Sequence, residues 1–175
     1  NTVSMHGMKS KVEVRLGSGL KVLQAGEADC ITIAGMGAST MIEILEVDMS
    51  LAVEARRLVL QPMAGAASLR KWLIQNGWHI VAEDLVADGR HLYEIMAVER
   101  GESEAFSDAV LEIGPSLIEA EHPLLAKQFA RQINNYKKLL ANMGKSEQAK
   151  ASEKYIAWEK LVQELEALAD ACNCK

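Results

Sequence analysis

No part of this 175-residue chain runs on for the roughly 18 apolar residues a helix needs to span a bilayer. The given sequence does not open on a basic stretch, an apolar stretch and a small-residue cleavage site, and no secretory leader is expected. Cysteine is scarce and odd in number, three residues in all. Cys30 falls in an apolar run, and Cys172 and Cys174 fall in the tail. No CxxC-type spacing accompanies them, and His79 and His91 have no partner at metal-ligand spacing. Neither a disulfide framework nor a metal centre is expected. These absences predict a reduced, cytoplasmic protein with no metal and no membrane contact. An excess of positive charge is missing too. The net charge of −5 argues against a protein that coats nucleic acid. The charge is uneven, however. Residues 121–154 hold seven Lys or Arg against three acidic residues, leaving 12 basic and 21 acidic elsewhere. A local basic surface on an acidic protein can still meet phosphate.

What is present is organised around residues 25–46, AGEADCITIAGMGASTMIEILE. Cys30, Ile31, Thr32, Ile33 and Ala34 are small, β-branched or apolar without a break, which predicts a strand covered on both faces of a parallel sheet. Gly35-Met36-Gly37 predicts a tight turn open to close approach. Ser39 or Thr40 is placed to cap the next helix, with Glu43 completing a capping box. Thr40 stands where a GxGxxG dinucleotide fingerprint needs glycine, so that motif is not met. Ligands of open α/β sheets sit at the carboxyl ends of strands, beside such turns, and the active face is expected there.

The chain opens without a methionine, and Asn1 reads as the inside of a helix that ends at His6-Gly7. The expectation is that residues precede it. Val12, Val14 and Leu16 alternate as in a strand, closed by Gly17-Ser18-Gly19, and Leu20 to Leu23 start a short helix. After the organising stretch, Leu58, Val59 and Leu60 predict a second buried strand, ended by Gln61-Pro62. A helix then presents Leu69, Trp72 and Leu73 and stops at Gly77. This βαβ rhythm predicts a mostly parallel sheet with helices on its faces. Residues 79–86 and 90–100 predict a hairpin turned at Ala87-Asp88-Gly89. Glu83, Asp84 and Asp88 read as its solvated edge, and His6 and His122 as helix-end residues. In the last third, Phe129, Ile133, Tyr136, Leu140 and Met143 form one heptad seam. Tyr155, Trp158, Val162, Leu165 and Ala169 form another. Residues 143–146 join them into an antiparallel helical hairpin with arms of roughly 30–37 Å. The predicted domains are 1–115, an α/β unit, and 116–175, the helical hairpin.

The strings VRLGSGL, ITIAGMGASTMIEIL, LVLQPMAGAASLRKWLIQNGWHI and DLVADGRHLYEIMAVERG, followed by a heptad hairpin, resemble in order and spacing the bacterial tRNA adenine-22 N1-methyltransferase family. The resemblance runs from Asn1 to about Ala169. It implies an α/β, Rossmann-like class I methyltransferase sheet that is partial here, with strands three to seven present. Strands one and two, the first glycine-rich cofactor loop and the acidic residue for the ribose would lie upstream. It implies S-adenosyl-L-methionine as cofactor and tRNA as partner. Two departures stand out: Ser18 where relatives often carry Asp or Asn, and Met63 where Asn is expected.

Methyl transfer to adenine N1 needs alignment more than a base, because N1 already has a lone pair. An acceptor near the N6 amino group would stabilise the charge that develops. On that chemistry Gly35, Met36, Gly37 and Gln61 are expected to line the base pocket. Gly17, Ser18, Gly19, Leu20 and Ala34 are expected to touch the cofactor. Lys127, Arg131, Lys137, Lys138 and Lys145, with Lys150 and Lys154, are expected to grip tRNA. The bland alternatives are core filling for Met36 and Leu20 and a solvated face for the lysines. Without strands one and two, residues 12–16 and 30–34 would expose edges, and the expectation is an upstream segment, a partner chain (self-association included) or a rearrangement that covers them. The rival to an enzyme is a noncatalytic RNA- or protein-binding module built on an incomplete α/β domain.

Overall fold

A computed structural model describes residues 2–8 and 10–174. The part of the first helix expected at Asn1 lies outside the described residues. α1 (Thr2–Met5) ends at His6-Gly7, as the sequence predicts. Among the described residues four strands follow: β1 (Cys30–Met36), β2 (Arg57–Pro62), β3 (Trp78–Asp88) and β4 (His91–Arg100). Their order in the sheet is β1-β2-β4-β3. β1 and β2 are parallel, while β4 is antiparallel to both β2 and β3. The α/β class and the closing hairpin are therefore as expected. The hairpin turns one residue later than predicted, at Gly89-Arg90 between the pair Asp88 and His91.

Helices α2 (Ala38–Val47) and α4 (Ala66–Gln75), with the short α3 (Met49–Ala52) between strands, cover one face of the sheet. Met41, Leu45, Leu69 and Leu73 are fully buried there against Ile31, Ile33, Leu58 and Leu60. Each such side chain contributes roughly 1.5–3 kcal/mol relative to exposure. β1 was expected to be covered on both faces and is not. Its burial alternates, with Ile31 and Ile33 inside and Cys30, Thr32 and Ala34 exposed. Among the described residues no helix packs on that second face, and β1 is an edge strand.

Two local expectations are corrected. Residues 12–16 form no strand. No described strand offers them a ladder, and Val14 and Leu16 lie exposed. Arg15 holds the segment instead, forking onto Glu13 at 2.8 Å and onto Glu27. Helix α2 is not capped by Ser39 or Thr40, which lie inside it. Its N-cap is Gly37, with no side-chain cap bond.

The outer half of the β3–β4 hairpin runs beyond β2, which pairs only with Met96–Val98 of β4. That overhang carries a second apolar cluster. Leu85 and Leu92 meet α5 (Asp108–Ile113), α6 (Pro115–Glu119), α7 (Leu125–Met143) and α9 (Glu153–Ala171). α7 and α9 pair antiparallel, and Tyr136 meets Trp158 edge to face at 5.8 Å. Each has 19 residues, about 28 Å of helix. The bend is longer than the four residues expected. Ser146 caps an extra turn, α8 (Glu147–Lys150), and Ser152 then caps α9.

Candidate functional site

The carboxyl ends of β1 and β2 are stitched into one pair of turns. The ladder pairs Ala34 with Gln61 and then Met36 with Pro62, so Gly35 is an extra residue bulged from the strand at φ +77°. A side chain is strained in that conformation. The bulge turns the Gly35 N–H onto the side-chain oxygen of Gln61, 3.0 Å away. Met63 N–H donates to the Met36 carbonyl at 2.8 Å, and Ala38 N–H to the Ala64 carbonyl at 3.0 Å. Gly65, also left-handed, lets the second turn close in: a Cβ there would stand 3.1 Å from that of Ala38. The four residues expected to line the base pocket, Gly35, Met36, Gly37 and Gln61, are thus brought together, with Ala34 beside them. Ala34 and Gly35 are exposed, and nothing lies within 4 Å of a Cβ placed on Gly35 or Gly37. The Gln61 amide nitrogen has two donors. Its hydrogen-bond partner is the Met63 thioether at 3.6 Å, a weak acceptor.

The other group expected to touch the cofactor lies elsewhere. Gly17 and Ser18 lead into a 3-10 turn at Gly19–Val22. A Cβ on Gly19 would touch Ile44 and approach Asp48, at the carboxyl end of α2. The Gly35–Gly37 turn is at the amino end of the same helix. Leu20 is 5% exposed and packs in the larger apolar cluster, the core-filling alternative.

Beneath the hairpin runs a buried chain of charges that the sequence reading did not find. Arg70 is 1% exposed. Its guanidinium donates to Glu83 at 2.6 Å, to Glu94 at 2.8 Å and to the Leu111 carbonyl at 2.8 Å. Glu83 also accepts from the Ser116 N–H at 3.0 Å. Burial alone would lower the Arg70 pKa, but Glu83 and Glu94 outweigh it and hold the group above its ordinary value. Glu83 was read as a solvated edge residue. Its side chain is 0% exposed, because α6 packs over this part of β3. Asp84 does lie open and accepts from His122 at 2.9 Å. His122 Nδ1 accepts from the Leu124 N–H, so Nε2 carries the proton. The signal for this network was in the periodicity. Ala66, Leu69, Arg70 and Leu73 share the buried stripe of α4, and Leu92, Glu94, Met96 and Val98 the buried phase of β4. A charge on an apolar stripe calls for a buried partner.

The basic residues of the hairpin divide. Lys127 and Lys138 are exposed. Lys145 leans on Asn142 at 3.3 Å, and Lys137 pairs with Glu166 across the arms at 2.6 Å. Lys150 pairs with Glu147, and Lys154 stands over the Trp158 ring. Arg131 turns inward, donating to the Leu92 carbonyl at 2.6 Å and to Glu94. A cleft of about 500 Å³ lies between the 62–68 turn, the hairpin tip and α7. Glu112 stands in its wall and accepts from the Tyr136 hydroxyl at 2.5 Å. Burial pushes the Glu112 carboxyl up against the opposing pull of that bond, and burial with Glu112 pushes the Tyr136 phenol up.

Known proteins share this architecture. Residues 1–166 match the family model TrmK, tRNA (adenine(22)-N(1))-methyltransferase. The tRNA (adenine(22)-N(1))-methyltransferase of Bacillus subtilis is 31% identical over 138 residues, 76% of this chain and 58% of its own. The crystal structure of that B. subtilis enzyme superposes with a TM-score of 0.76 at 28% identity, over 97% of this chain and 74% of that one. A Streptococcus pneumoniae protein solved in complex with S-adenosyl-L-methionine gives a TM-score of 0.80 at 28% identity, over 95% and 72%. The chain spans between about two fifths and three fifths of the length of the curated relatives it matches. Its sheet is that of a Rossmann-like methyltransferase, and the chain belongs to the tRNA (adenine(22)-N(1))-methyltransferase family.

Proposed function

We propose that this protein transfers a methyl group from S-adenosyl-L-methionine to N1 of adenine 22 in tRNA. The observation that carries the reading is the Gly35 bulge held on Gln61 at the paired ends of β1 and β2. It makes a turn whose two glycines, on either side of Met36, leave space for a flat ring bordered by backbone carbonyls. Membership of a methyltransferase family argues against the noncatalytic module.

The residues present fit the base and the reacting end of the cofactor. Ala34 and Gly35 lie exposed at the strand end, and no Cβ fills the space over Gly35 or Gly37. S-adenosyl-L-methionine supplies a methyl already activated on a sulfonium. The chain therefore supplies alignment and charge stabilisation and no general base. The carbonyls of the turn accept from the N6 amino group as positive charge grows on the ring, and the Gln61 amide donors meet a ring acceptor. Gly17 and Ser18 stand as the proposed adenine contact of the cofactor, with Leu20 packed in the core behind them. Lys127, Lys137, Lys138 and Lys145 supply the positive field for tRNA. Arg131 shapes the surface from inside.

The test is Gln61→Ala, followed by methyl transfer to a tRNA transcript. Loss of the Gly35 anchor is expected to lower kcat about tenfold, the worth of one well-placed hydrogen bond. Gln61→Glu, which keeps an acceptor for Gly35 N–H, should recover part of it. An unchanged kcat in Gln61→Ala would remove this turn from the reaction.

A further inference from the structure

The lining of the cleft beside the paired turns includes none of Gly35, Met36, Gly37 and Gln61, but it adjoins them. Met63 lines the cleft and also touches the Gln61 amide. Part of its wall is aromatic. Tyr93 stacks on His91 with centroids 5.9 Å apart and 28° between planes, and Tyr136 sets its edge to Trp158. Its polar groups include the amides of Gln132 and Asn135. Asn135 offers both amide donors and an acceptor, while Gln132, whose amide nitrogen donates to the Glu112 carbonyl at 3.3 Å, keeps one donor and its acceptor oxygen for a base edge.

Three further facts restrict the occupant. The cleft is pre-formed, because Arg131 ties α7 to the Leu92 carbonyl and to Glu94 across it. Its carboxylates are engaged. Glu94 accepts from both Arg70 and Arg131, and Glu112 accepts from Tyr136. Glu94 is offset by two guanidinium groups, Glu112 keeps its charge but turns it onto the Tyr136 hydroxyl, and Arg90 adds an exposed cation at the hairpin tip. The volume of about 500 Å³ is that of a small-ligand site. It suits one unstacked nucleotide and excludes a duplex.

We propose that this cleft holds an unpaired nucleotide of the RNA next to the reacting adenine, stacked on its aromatic wall, and so helps to choose which adenine is methylated. The proposal rests on the methyltransferase reading above. Stacking on aromatic side chains tolerates any base, while the Gln132 and Asn135 amides add the preference.

The experiment places 2-aminopurine in a tRNA transcript, at the target adenine or at either neighbour, and follows its fluorescence as the protein binds. A neighbouring probe is expected to be quenched by the wild type and to regain emission with Tyr93→Leu and Trp158→Leu. Signal from the target-site probe should not depend on these substitutions. Affinity for tRNA should weaken roughly fivefold per lost stack. Should Trp158→Leu fail to fold by circular dichroism, Tyr93→Leu and the exposed Asn135→Ala carry the test. Bound RNA whose neighbouring probes stay bright would overturn the proposal while leaving the methyltransferase reading intact. So would a target-site probe that responds to the cleft variants, since the cleft would then hold the reacting base itself. If the wild type binds no tRNA, the methyltransferase reading falls and this proposal falls with it.

Discussion

A guanidinium that is 1% exposed costs several kcal/mol to desolvate, and Arg70 recovers it only through Glu83, Glu94 and the Leu111 carbonyl. Arg70→Met removes the cation and leaves two buried carboxylates. We expect a loss of about 3–5 kcal/mol, read by urea unfolding. A loss under 1 kcal/mol would show that water reaches the network. Glu112 behaves differently. Its folded pKa lies above its unfolded value, so the stability it contributes is fully present below the ordinary carboxylate pKa. That contribution is lost as the pH rises through the folded value. Glu112→Gln should therefore raise Tm relative to wild type at neutral pH, with the gap closing toward pH 4. A gap that widens on acidification would reverse the assignment. These residues mark what the sequence did not disclose. The stripe positions of Arg70 and Glu94 were visible, but their pairing depends on α4, β3, β4 and α6 meeting in space. Gln61 and Gly35 were legible because both sit where a strand must end.

At the scale of elements, strands and helices that pair with near neighbours were readable. The β3–β4 hairpin and the α7–α9 pair come from alternation and heptad spacing that local contacts satisfy. The alternation of Val12, Val14 and Leu16 was equally clear, yet it makes no strand, because a ladder needs a partner that no described element provides. The helix caps divide in the same way. Ser152 and Ser146 cap as their spacing allows, whereas Gly37, drawn in by the stitched turns, displaces Ser39 and Thr40. The arm also has a functional prediction. Lys138 is exposed, while Lys137 already has Glu166 as partner. Lys138→Glu should weaken tRNA binding and reduce the slope of log affinity against log salt by about 1. An unchanged slope would take this face of α7 out of the RNA site.

For the whole molecule, the sheet is covered on one face and open on the other among the described residues. Cys30 stands on the open face, while Cys172 and Cys174 pack against the second cluster. Thiol labelling should modify Cys30 first. Protection of Cys30 that grows with protein concentration would show self-association through this face; protection independent of concentration would show another segment of the protein covering it. The turn proposed for the reaction, Gly35–Gly37, stands at the carboxyl edge of the sheet, next to the cleft between the 62–68 turn, the hairpin tip and α7.

The most direct measurement is a nucleoside digest of tRNA after incubation with the protein and S-adenosyl-L-methionine, with the modified position mapped by reverse-transcription arrest. The account predicts 1-methyladenosine at adenine 22 and nowhere else. Methylation of the exocyclic N6, methylation at a different nucleotide, or tRNA recovered unmodified would contradict it.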